Sequence, residues 1–80
     1  MSKNTPTEIL VALHVEGARS IRVSNDGDDS KGKWIPRSLI GSMHETGQTT
    51  QGTDRNGQKA RIPLANLVIP EWLAVREELV

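Results

Sequence analysis

The acidic run Asp26-Gly27-Asp28-Asp29-Ser30 is the densest set of metal-type ligands in the chain, and calcium is the chemistry it would serve. A helix–loop–helix calcium site needs glycine at its sixth position and a bidentate glutamate at its twelfth. Counted from Asp26, those positions hold Lys31 and Arg37, two cations, so the run reads as a solvated turn. His14 and His44 are the only histidines and share no metal-ligand spacing. No serine sits in a Gly-x-Ser-x-Gly elbow, and the absence of cysteine excludes thiolate chemistry and disulfides. Gly41, Gly47, Gly52 and Gly57 lack the lysine and the strand–turn–helix setting of a phosphate cradle. No catalytic set can be assembled, so neither an enzyme nor a cofactor is expected.

Trp34 beside Lys33, Arg37 and Arg61 is a different kind of set. An aromatic ring flanked by cations can stack and neutralise a single-stranded nucleic acid. However, Trp34 and Trp72 are the only aromatic residues. Buried aromatics dominate the energetics of small domains, so we read Trp34 as a core or helix-contact residue. Ten Lys and Arg balance ten Asp and Glu, and the cations are dispersed. That distribution does not support general attraction to phosphate backbones. Any electrostatic recognition must come from local patches.

The chain of 80 residues makes one small domain, which buries only about 60% of the surface of its extended form. No apolar run reaches the roughly 18 residues of a membrane span, and the first residues carry no signal-peptide core. A cytoplasmic protein with no membrane association is expected. Residues 1–7 read as a flexible leader and residues 8–80 as a single β-rich domain.

Thr7 to Val15 alternates, with Ile9, Val11, Leu13 and Val15 on one face, which predicts a strand. Arg19 to Ser24 predicts a second strand, joined to the first by a short hairpin. Residues 25–32 form the strongest turn signal, and Lys33-Trp34-Ile35 a short strand stopped by Pro36. One helical turn follows near Leu39. Residues 44–57, rich in Gly, Thr and Gln, read as a long polar excursion, with Asn56-Gly57 in a type I′ turn. Gln58 to Ile62 would return as a strand closed by Pro63, followed by a helical turn at 64–67 and a short strand at Val68-Ile69. From Glu71 a helix of about nine residues, too short to persist alone, must dock on the sheet through Trp72. The fold class expected is mostly β (α+β): four to five short antiparallel strands in a curled or barrel-like sheet, with a short C-terminal helix.

Lys33-Trp34-Ile35-Pro36-Arg37-Ser38-Leu39-Ile40 and Ile69-Pro70-Glu71-Trp72-Leu73-Ala74 together resemble a group of small accessory proteins of phages and integrative elements. Those proteins carry a Trp-Ile-Pro-Lys-Ser-type strand end and finish with Ile-Pro-Glu-Trp-Leu-Ala entering a short helix. Arg37 stands where they have lysine, and the 44–57 segment is longer than theirs. The resemblance implies a mobile-element accessory protein and supplies no activity.

These observations point to a non-catalytic binding module that acts by protein–protein contact. It would inhibit a host defence complex or serve replication or recombination machinery. Its expected contact surface is the acidic turn (Asp26, Asp28, Asp29) with Arg55 and Asn56 in the long polar segment, since carboxylates can meet arginines that otherwise hold phosphates. The alternative is a single-stranded nucleic-acid binder using Lys33, Trp34, Arg37 and Arg61. A homodimer, formed through strand 8–15 or the Trp72 helix, is a third expectation.

Overall fold

Alternation in the first third of the chain builds the centre of the sheet. The computed structural model describes residues 5–79. Strand β1 (Pro6–Glu16) pairs with β2 (Ser20–Ser24) on one side and β5 (Lys59–Pro70) on the other. The outer strands are β3 (Lys33–Pro36) beside β2 and β4 (Ser42–Thr53) beside β5. All neighbours are antiparallel, in the order β3-β2-β1-β5-β4. The expected mostly-β class with a C-terminal helix is what forms. The sheet is open and not closed into a barrel, with β3 and β4 as its edges.

One face carries the core. Ile9, Val11 and Leu13 of β1 align with Leu67, Ile69, Val23, Ile21 and Ile35 from the neighbouring strands, all of them buried. Helix α1 (Glu71–Arg76) closes this face with Leu73 and Ala74, both fully buried. Trp72 only flanks this core, and the Arg76 guanidinium lies 5.2 Å from its ring centroid. Leu73, not Trp72, is therefore the docking residue. Glu78 ends the helix in the left-handed region (φ 57), where its N–H donates to Val75 O and the Leu79 N–H to Ala74 O. That cap returns Leu79 to the core.

Four expectations are corrected. The expected leader extends too far, since Pro6 and Thr7 already pair with Pro70 and Ile69; residues 1–4 lie outside the described residues. The 44–57 excursion is mostly strand β4, held extended by its partner despite poor strand propensity. Pro63 does not end a strand, and 64–67 is not helical. Pro63 still pairs with Thr49 of β4, but it lies one residue past the end of the β1–β5 ladder at Ala12↔Leu64, so β1 requires no N–H from it. Finally, the hairpin turn is not type I′. Asn56 does not have positive φ and Gly57 does (φ 77), so a Gly at the left-handed position follows a turn closed by Gly57 N–H to Asp54 O.

Candidate functional site

Beyond Leu64, β5 has lost β1 as a neighbour and continues with β4 alone, from Thr49↔Pro63 to Thr53↔Lys59. This two-stranded arm, with its turn at 54–58, gives the molecule its long dimension, 41 × 23 × 23 Å. A bare hairpin is marginal in water, so something must support it. The support is the acidic turn. Thr53 N–H donates to Gly27 O at 3.0 Å, and Asp28 bridges Thr53 as a one-residue parallel strand. A Cβ on Gly52 would lie 2.2 Å from Gly27 O, so glycine alone permits this approach.

The turn is held in place by a polar cluster that no spacing in the sequence announces. The β1–β2 register shifts between Leu13 and Val15, and this bulge turns His14 toward the turn. His14 Nε2 lies 2.8 Å from Ser24 Oγ, which also accepts the Gly27 N–H. His14 Nδ1 faces Asp29 Oδ1 at 3.7 Å. Arg22 donates from Nε to Asp29 Oδ1 at 3.0 Å and from a terminal nitrogen to Asp29 O at 2.7 Å. With the proton on Nδ1, toward the carboxylate, Ser24 O–H donates to Nε2, the tautomer these neighbours select. Burial holds the His14 pKa below its ordinary 6.5; Asp29 opposes that shift and Arg22 adds to it.

Serine, histidine and aspartate thus stand in the connectivity of a hydrolytic triad. Ser24 is fully buried and already accepts a backbone N–H, and the His14 side chain is 3% exposed. No substrate carbonyl can reach the Ser24 oxygen, and the arrangement works as a structural pin. Among the described residues, no group of three or more His, Asp or Glu is placed to hold a metal ion.

The expected contact residues separate into two groups. Asp29 is buried in the pin. Asp28 accepts the Ser30 N–H and hydroxyl and the Thr53 hydroxyl, bonds that hold its carboxyl below the ordinary value of 3.8. Asp26 accepts the Asp28 N–H, stands 3.6 Å from Lys31, and is the most exposed of the three aspartates. Arg55 and Asn56 stand exposed at the tip of the arm, where Asp54 accepts the Asn56 and Gln58 N–H groups.

The nucleic-acid set is not assembled. Trp34, expected in the core, is 49% exposed on edge strand β3, because its register partner is Arg22 on the face away from the core. The Arg22 guanidinium lies 5.6 Å from its ring centroid. Lys33 pairs with Val23 on the opposite face, and Arg37 donates from Nε to Gly17 O at 2.7 Å. Arg61 is on the arm, with β2 and β1 between its strand and Trp34.

Two further residues bear on contact: Lys59, one of the dispersed cations, which stands beside Arg61 on the arm, and Gln51 opposite Arg61. The alternation of Lys59-Ala60-Arg61-Ile62 carried the signal, with cations on one side and apolar residues on the other. No described helix is long and apolar enough to cross a membrane. Compared with protein-family models, curated proteins and solved structures, the chain matches none.

Proposed function

We propose that the chain is a non-catalytic binding module that acts by protein–protein contact, with the β4–β5 arm as its contact element. The observation that supports this reading is the division of labour around the acidic turn. Asp28, Asp29, His14 and Arg22 spend their polar groups on holding the arm, while the arm's tip and outward face keep theirs exposed. A supported projection with exposed polar groups suits recognition. The contact surface moves accordingly from Asp28 and Asp29 to Arg55, Asn56 and the strands behind them. Its cellular setting rests on the resemblance alone: an accessory protein of a phage or integrative element, which blocks a host defence complex or serves replication or recombination.

The test is affinity capture from host lysate, comparing the wild type with an Arg55→Glu/Asn56→Ala variant. The reading expects a specific protein retained by the wild type and depleted by the variant. Equal retention by both would remove the arm from the contact.

A second reading is favoured by one observation, the half-exposed Trp34 with Arg22 against its ring. Here a single strand would stack on Trp34. Titration of labelled single strands at low salt, read by tryptophan quenching, separates the two readings. Saturable quenching lost in Trp34→Ala supports the nucleic-acid reading, and no binding at low salt eliminates it.

A further inference from the structure

Alternation gives the arm two unlike faces. Gly52 and Thr50, which pair with Ala60 and Ile62, lie against Gly27 of the acidic turn, and Ile62 is 7% exposed. The other face carries Thr49 and Gln51 paired with Pro63 and Arg61, while Thr53, the partner of Lys59, turns its hydroxyl to Asp28 at the β4 edge. Lys59 and Arg61 stand about 7 Å apart along one strand, both exposed, with Arg55 exposed at the tip.

These three cations form no ion pair among the described residues. Ion pairing there engages Asp29, Asp26 and Glu77 with other partners. The nearest carboxylates are directed elsewhere. Asp54 accepts two backbone N–H groups in the turn, Asp28 at the β4 edge accepts from Ser30 and Thr53, and Glu45 sits beyond the β4 bulge. A chain with zero net charge thus gathers unpaired positive charge at one projecting end.

We propose that this outward face binds an extended acidic segment of a protein partner, which lies along β4 and presents carboxylates to Lys59, Arg61 and Arg55. The proposal rests on the protein-binding reading above and adds the chemistry of the partner. Carboxylates on alternate residues of an extended chain repeat at the spacing of Lys59 and Arg61, and arginine receives carboxylate through two parallel hydrogen bonds. Isolated exposed ion pairs contribute little, so the site needs main-chain bonding as well. Edge strand β4 supplies it. Its outer backbone already accepts a one-residue strand at Thr53 from Gly27 and Asp28, and a partner segment would continue that pairing toward Thr49. A nucleic-acid duplex would make no use of this backbone edge, and the ten acidic residues of the chain would oppose it.

The experiment is a titration of the 15N-labelled full chain with an alternating Glu-Thr peptide of about ten residues, long enough to follow β4. An alternating Gln-Thr peptide and a duplex DNA of about 20 base pairs are the comparators, all at about 50 mM salt so that screening stays modest. The expected result is saturable shifts at the amides of 49–51 and 59–61 with the acidic peptide. Affinity should fall about tenfold in Lys59→Gln/Arg61→Gln, whose exposed side chains leave the fold intact. Absence of binding, equal binding of the Gln-Thr peptide, unchanged affinity in the double variant, or tighter binding of the duplex through the same amides would each overturn the proposal. If the acidic peptide fails while the Arg55→Glu/Asn56→Ala variant still loses its captured protein, the partner chemistry falls and the protein-binding reading stands.

Discussion

From Leu64 to Pro70, β5 runs between β1 and β4, and its buried residues Ala65, Leu67 and Ile69 face the core or its margin. From Lys59 to Pro63 the same strand has β4 alone beside it, and its support is a polar turn docked through glycine. The first half is stabilised by apolar burial, which tolerates small rearrangements. The second depends on a few directional contacts, each of which fails when one atom is out of place. The difference explains why the residues that look most like chemistry, a histidine, a serine and a run of aspartates, serve as scaffolding. They hold a weakly packed arm against the body, and they leave its other face unspent.

The strongest test of that contrast is substitution in the core. Leu73→Ala removes a fully buried side chain and is expected to cost about 3 kcal/mol in urea unfolding, with protection lost across all strands. Gly52→Ala attacks the arm instead, since its Cβ would collide with Gly27 O. The expected cost is about 2 kcal/mol, and hydrogen exchange should accelerate at 49–53 and 59–63 while the β1 amides keep their protection. Loss of β1 protection in parallel would mean that arm and body are one cooperative unit.

Acid sharpens the comparison further. Because the folded His14 pKa lies below 6.5, the unfolded chain binds the proton more readily. The stability tied to neutral His14 is present above pH 6.5 and is lost as pH falls from there through the folded value. Asp28 behaves likewise from 3.8 downward, since its carboxylate is the favoured form in the fold. Denaturation profiles should therefore show an upper acid limb that His14→Gln abolishes. A limb that persists in that variant would place its origin elsewhere. The smallest effect is expected at the helix end. Glu78→Gly relieves a left-handed residue and should stabilise the chain by about 0.5 kcal/mol.

Much of the body was legible in the sequence. The alternation of Ile9, Val11 and Leu13, and the Pro70-Glu71 helix start, survive in the structure because each is a local pattern that tertiary contacts reinforce. The arm was not legible. Gly47, Gly52 and a run of Thr and Gln describe a loop locally, and only pairing with β5 holds them as a strand. The pin was invisible for a related reason. His14, Ser24 and Asp29 meet through a bulge and a turn, and nothing in their spacing records either. Aromatic scarcity argues for a buried Trp34, whereas its alternation with Ile35 sends it outward.

The most direct measurement compares two variants against the protein captured by the wild type, each titrated at equal salt. Arg55→Ala/Lys59→Gln/Arg61→Gln alters the arm's outward face, and Asp26→Asn alters the most exposed carboxylate of the acidic turn. If the arm is the contact element and the turn its support, the triple variant loses about tenfold or more in affinity while Asp26→Asn binds as the wild type does. Full affinity in the triple variant, with the loss falling on Asp26→Asn, would contradict it.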